Sequence, residues 1–355
     1  MSEPRLHELF RYLVEARGSD LHLAAGLEPR IRRHGSLQAV PGWPVLTPES
    51  LLELLRAIAS DAQWHDYQTT GDVDFAYGLE GVARFRVNLL RQERGPAAVF
   101  RSIPEKILPL ESLGMPAAVE RLAHTQSGLI LVTGPTGSGK STTLASILDV
   151  INRTYSKHIV TIEDPVEFVH QNRRSLFSHR EVGNDTESFG SALRAAIRQD
   201  ADVILVGEMR DLETIALAVT AAEMGSLVFG TLHTNSAIST VDRLIDAFPA
   251  EEQAQIRTTL ADSLAGVVCQ LLLPTAQGGG RVAAVEILLR TPGLANVIRE
   301  GKTPMIQSLI QGGRALGMQR MDDALMELVE SGRVSAEEAY RKANNKELFE
   351  RMVKE

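Results

Sequence analysis

Between Arg5 and Ala16 the apolar residues Leu6, Leu9, Phe10 and Leu13 recur at helical spacing, and Gly18 follows as a stop signal. The chain is therefore expected to open with a helix. The period then changes to two: Asp20-Leu21-His22-Leu23 alternates, as do Val73, Phe75 and Tyr77. Val82 to Leu89 places Phe85, Val87 and Leu89 on one strand face and Arg84, Arg86 and Asn88 on the other. Thr47-Pro48 opens a helix between these strands, with Thr as the cap and Pro at the first helical position. Residues 1–101 are thus expected to form a small α+β domain. Pro104, Pro109 and Pro116 mark residues 102–116 as a linker.

Residues 117–355 carry a different pattern. Short apolar runs at Leu129–Val132, Ile159–Ile162, Val203–Val206 and Leu227–Phe229 read as strands, and helices fit at Lys140–Ile151, Ser188–Gln199 and Leu212–Glu223. Such alternation predicts a mainly parallel, doubly wound sheet with ligands at the carboxyl ends of its strands. Gly278-Gly279-Gly280 separates Val267–Leu273 from Val282–Leu289, as in a hairpin closing a sheet edge, and a helical segment is expected from about residue 291.

Composition narrows the class. Hydrophobic residues make up 44% and charged residues 23% of 355, which suits a folded two-domain protein and excludes a disordered one. A net charge of -8 argues against nucleic acid as a partner. The single cysteine, Cys269, lies in an apolar run and reads as a buried small hydrophobe; it supports neither a disulfide framework nor a cysteine zinc site. Acids and bases interrupt the opening stretch, and no apolar run approaches a membrane span, so a cytoplasmic protein without direct membrane insertion is expected.

The sharpest motif is Gly134-Pro135-Thr136-Gly137-Ser138-Gly139-Lys140-Ser141-Thr142, set between an apolar strand and a helix. It matches the phosphate-binding P-loop in sequence and context. The glycines let backbone N–H groups wrap phosphates, and the helix N-terminus adds a favourable dipole. Lys140 is the candidate for the β- and γ-phosphates of ATP, and Ser141 for Mg²⁺. Glu163-Asp164 and Glu208 follow neighbouring strands, where ATP hydrolysis needs a carboxylate for Mg²⁺ and a group that orients water. His233, in Thr231-Leu-His-Thr-Asn235, also follows a strand and fits a γ-phosphate sensor. Arg84, Arg86 and Arg101 are candidates for completing a phosphoryl-transfer site, a solvated strand face being the alternative. Arg194 and Arg198, one helical turn apart, fit either an ion pair or a phosphate contact.

In combination GPTGSGKSTT, TIEDPVEF (Thr161–Phe168), REVGNDTESF (Arg180–Phe189), ALRAAIRQDADVILVGEMRD (Ala192–Asp211), TLHTNSA (Thr231–Ala237) and GMQRMDDAL (Gly317–Leu325) resemble the secretion-superfamily motor ATPases. The likeness is to the PilT family of type IV pilus retraction (twitching motility) motors, and it extends to GSDLHL (Gly18–Leu23) and ARFRVN (Ala83–Asn88). It implies a RecA-like P-loop ATPase domain preceded by a small α+β, PAS-like domain. It further implies a homohexameric ring at the inner face of the cytoplasmic membrane, working with an inner-membrane platform protein. Carried over residue by residue, Glu163 falls in the family's Asp box as water-activating base, and Glu208 in Walker B, holding Mg²⁺ partly through water; the two roles could be exchanged. His233 falls in the His box, and Arg84, Arg86 and Arg101 at the arginine positions. Gly207 stands where Walker B motifs usually carry Asp, as it does in that family. Leu294 to Glu300 matches the family's AIRNLIRE segment only in its IRE half. An accessory PilU-like paralogue, or a nucleotide-binding regulatory subunit, is the alternative expectation. A nucleic-acid translocase on the same core is disfavoured by the net negative charge.

Overall fold

A computed structural model of the chain describes residues 4–33, 35–103 and 106–354. It divides into two compact units, Met1–Lys106 with Pro165–Val169, and Ile107–Asp164 with His170–Glu355.

The first unit begins with helix α1 (Leu6–Glu15), whose buried residues include the four apolar positions that predicted it. Strands β1 (Asp20–Ala24), β2 (Arg30–Arg33) and β3 (Ser36–Ala39) follow, then helices α2 (Pro48–Arg56) and α3 (Asp61–Thr70), then β4 (Asp72–Leu79), β5 (Ala83–Gln92) and β6 (Gly95–Ile103). Thr47 caps α2 as expected, its side chain accepting from the Ser50 N–H. The strands form one antiparallel sheet in the order β3-β2-β1-β6-β5-β4. One face is apolar: Phe10 of α1 stacks on Phe85 at 4.2 Å and meets Phe100 edge-on at 5.1 Å. The sequence pattern missed β2, β3 and α3. Arg-Ile-Arg-Arg and Ser-Leu-Gln-Ala are too polar to read as strands, and Asp61–Thr70 has hardly any apolar stripe.

The second unit holds α4 (Ala117–Leu122), β7 (Gly128–Thr133), α5 (Lys140–Thr154), β8 (His158–Glu163), β9 (Leu176–Glu181), α6 (Phe189–Ile197), β10 (Val203–Val206), α7 (Leu212–Glu223) and β11 (Leu227–Leu232). After these come α8 (Ala237–Asp246), α9 (Gln253–Ser263), β12 (Leu264–Pro274), β13 (Arg281–Leu289), α10 (Pro292–Arg299), α11 (Ile306–Gly312), α12 (Met321–Glu330), α13 (Ala336–Lys342) and α14 (Glu347–Lys354). The sheet order is β13-β12-β7-β11-β10-β8-β9. All pairings are parallel except β12 with β13, the expected glycine hairpin at the edge. The central strands are largely apolar because helices cover both faces; β7 and β11 are buried at all six positions.

The stretch expected as a linker is not featureless. Strand β6 runs through Ser102 to Ile103, and Pro104 lies outside the described residues. Further on, Leu108 accepts a hydrogen bond from Ser146 Oγ at 2.7 Å, and Leu110 is buried in a 3-10 turn, Leu110–Leu113, within the second unit. Among the described residues no helix is long and apolar enough to cross a membrane.

Candidate nucleotide site

Strands β7, β11, β10 and β8 are consecutive neighbours in the sheet and run parallel, so their carboxyl ends line up. The P-loop follows β7, His233 follows β11, Glu208 follows β10, and Glu163 is the last residue of β8. Four segments separated by up to about a hundred residues in sequence thus supply one edge, as parallel α/β sheets do for their ligands.

The P-loop is a backbone cradle. Gly134, Gly137 and Gly139 have φ of 139°, 79° and 88°, values that side chains with a Cβ avoid. At Gly134 a Cβ would come within 2.2 Å of the Gln270 carbonyl oxygen, so glycine is obligatory there on steric grounds as well. Gln270, on β12, braces the loop from behind: its Nε2 donates to the Ser138 carbonyl at 2.6 Å, and its Oε1 accepts from Thr143 Oγ1 at 2.8 Å. Lys140, at the start of α5, donates to the carbonyls of Gly134 at 2.9 Å and Pro135 at 3.2 Å. Ser138 Oγ is buried and has no hydrogen-bond partner among the described residues. An orphaned hydroxyl costs about 1–3 kcal/mol, so a polar ligand in the cradle would find a waiting donor. Ser141 and Thr142 are half-buried on the first turn of α5.

Glu208 has two partners. Its Oε2 accepts from Arg210 Nη2 at 2.7 Å, and its Oε1 lies 3.0 Å from His233 Nε2. The Arg210 hydrogen bond lowers the carboxyl pKa, against partial burial, with the Arg210 charge and His233 adding to the effect. Glu208 is therefore a carboxylate at neutral pH. Glu163 is buried, while Asp164 is exposed. Gly207 explains the missing Asp of the preceding position: a Cβ there would stand 3.3 Å from Glu163 Cα and Cγ. Its N–H donates to the Ile162 carbonyl at 2.8 Å, and the next turn is tied to β11 by the Met209 N–H to Thr231 carbonyl bond at 3.0 Å. Glycine lets the segment carrying Glu208 close on the end of β8.

The predicted arginines belong to the first unit, on the polar face of its sheet. Arg84 and Arg86 alternate with Phe85 and Val87 on β5, and Arg101 is the cross-strand partner of Arg86. They differ in occupation. Arg84 Nε donates to the Val166 carbonyl at 3.0 Å, and Arg101 Nε pairs with Asp20 Oδ1 at 3.0 Å, while Arg86 is exposed. Asp20 is held below the usual carboxylate range; burial pushes it up, but the Ser19 hydroxyl and Arg101 outweigh that. Arg194 forms an ion pair with Glu213 of α7, the structural one of its two readings. Cys269 is buried, and burial lifts its thiol to about 12, which leaves it inert.

Two site residues escaped the sequence reading. Arg210 lies within GEMRD, where no spacing marks it as a partner of Glu208; Gln270 meets Ser138 and Thr143 across more than a hundred residues, a contact with no local signal.

A P-loop on a parallel sheet, with carboxylates and a histidine at the neighbouring strand ends, defines a P-loop ATPase. The sequence model of the type II/IV secretion system protein family matches residues 3–354. The type IV pilus retraction ATPase PilT of Pseudomonas aeruginosa PAO1 is 51% identical over 342 residues, spanning 96% of this chain and 99% of that protein. The type IV pilus ATPase PilU of the same strain is 38% identical over 98% of this chain and 91% of PilU. A crystal structure of the pilus retraction motor PilT with bound ADP superposes with a TM-score of 0.91 at 46% identity, covering 98% of this chain and all of that one. The chain belongs to the type II/IV secretion system protein family and, within it, to the PilT ATPases.

Proposed function

We propose that this ATPase retracts type IV pili, and that ATP hydrolysis at the edge formed by β7, β11, β10 and β8 drives pilin depolymerisation and twitching motility. The observation that carries the reading is end-to-end identity of 51% with PilT, against 38% with PilU. It favours the retraction motor over an accessory paralogue.

The proposed roles follow from the chemistry of each position. The P-loop from Gly134 to Thr142 wraps the phosphates, and Lys140 neutralises them. Mg²⁺ keeps most of its water and needs only one or two protein oxygens besides phosphate, so Ser141 and Glu208 form a suitable pair. Glu163 activates the attacking water, and His233, hydrogen-bonded to Glu208, senses the γ-phosphate. Arg84, Arg86 and Arg101 complete the site of a neighbouring subunit in a homohexamer. Arg84 and Arg101 would have to exchange their present partners to do so, whereas Arg86 is already exposed. The working partner is an inner-membrane platform protein, which recruits the ring to the cytoplasmic face of the membrane.

Deleting the gene in its own organism and counting surface pili tests the direction of the motor. Excess pili without twitching are expected. Loss of pili would mean extension instead.

A further inference from the structure

Glu286, on β13, is a buried carboxylate in the second unit that the proposed hydrolytic roles leave unused. Its Oε1 accepts the Ala237 N–H at 2.7 Å, and the carboxylate also accepts the backbone N–H of Met321. Ala237 is the first residue of α8 and Met321 the first of α12. A single side-chain carboxyl group therefore sits against the positive ends of two ten-residue helices and satisfies an N–H that each helix leaves without an internal partner.

The two helices lead to different places. Helix α8 begins four residues beyond His233, and the intervening turn is closed on it: Thr234 Oγ1 meets Thr240 Oγ1 at 2.7 Å, and Ser236 caps the helix. Helix α12 anchors the C-terminal helices, because Asp322 accepts the N–H groups of Asn344 and Asn345 at 2.8 and 3.0 Å. The approach to α12 lies along β13, with Ile287 and Gln319 exchanging backbone hydrogen bonds at 2.8 and 3.1 Å.

We propose that Glu286 is a positioning residue for ATP hydrolysis: through Ala237 it fixes the turn that carries His233 against Glu208, and through Met321 it ties that turn to the C-terminal helices. The proposal rests on the assignment of His233 and Glu208 to the hydrolytic site. Burial holds the Glu286 pKa above the usual carboxylate range, with the Asp322 charge adding to the rise and the Ala237 and Met321 N–H groups opposing it. Movement of the C-terminal helices would then reach His233 through one side chain and alter turnover.

Glu286→Gln is nearly isosteric but replaces one carboxyl oxygen by an amide NH2, which cannot accept a hydrogen bond, and so weakens the hold on the two N–H groups. With the full-length protein, kcat for ATP should fall about tenfold while KM stays within about twofold, the pattern of a misplaced group rather than lost substrate binding. The decisive measurement is the cycle with His233→Ala. If Glu286 acts through His233, the double variant turns over no more slowly than His233→Ala alone. If the two effects multiply, or if Glu286→Gln is as active as wild type, the proposal is overturned. A silent His233→Ala would instead remove the assignment of His233, which is a separate failure. Should Glu286→Gln not fold, Glu286→Asp, which keeps the carboxyl group and shortens the reach, enters the same cycle with the same outcomes.

Discussion

Glu208 and His170 show how differently two ionisable side chains of one unit are held. Glu208 is anchored by Arg210 and His233 and stays a carboxylate well into the acid range. His170 is buried, stacked on Phe177 at 4.4 Å with the rings parallel, and its pKa is lowered to about 3 by burial first and then by His179 and Arg173. An unfolded histidine takes up a proton below pH 6.5 and the folded one does not, so its share of the stability is complete above 6.5 and is lost as pH falls towards 3. The slope from this single residue is at most about 1.4 kcal/mol per pH unit. His170→Phe keeps the stack and removes the titration, so the drop in Tm between about pH 7 and pH 5 should shrink; an unchanged drop would contradict the assignment. The placement of the P-loop, Glu163, Glu208 and His233 at neighbouring strand ends was legible in sequence because each sits in a contiguous motif. Glu286 was not, because its partners at Ala237 and Met321 are tens of residues away.

The strands and helices that position the site were mostly legible too, and for a physical reason. A strand buried on both faces is a short apolar run, and β7, β8, β10 and β11 read that way. Strand β9 is at the sheet edge, with Ser178, His179 and Arg180 half-exposed, so it carried no such signal. Helices α8 and α9 lay outside the expected elements as well; α9 has little apolar stripe, whereas Val241, Leu244 and Ile245 of α8 do recur at helical spacing. The hairpin β12–β13 was expected only to close an edge, yet it supplies Gln270 to the back of the P-loop. Gln270→Ala removes both hydrogen bonds and leaves the buried Thr143 hydroxyl without its acceptor. Nucleotide affinity should weaken by about tenfold, or about 1.4 kcal/mol, in a fluorescence titration with ATP. An affinity equal to wild type would show that the loop holds its shape without the brace.

For the whole molecule the question is whether one chain makes a complete site. The P-loop lies in one compact unit and Arg86 in the other, and the proposed ring supplies the arginines from a neighbour. Complementation tests that arrangement. Lys140→Ala and Arg86→Ala proteins should each be nearly inactive, and mixing them under subunit-exchange conditions should restore activity, because some interfaces then pair an intact P-loop with an intact arginine. No recovery in mixed rings would place Arg86 outside the shared site. If a carboxylate held by Arg210 and His233 at the end of β10 makes this P-loop a hydrolytic site, steady-state ATP turnover of purified Glu208→Gln will show it. The variant should still bind ATP while turnover falls by about a hundredfold or more. Turnover equal to wild type would contradict it.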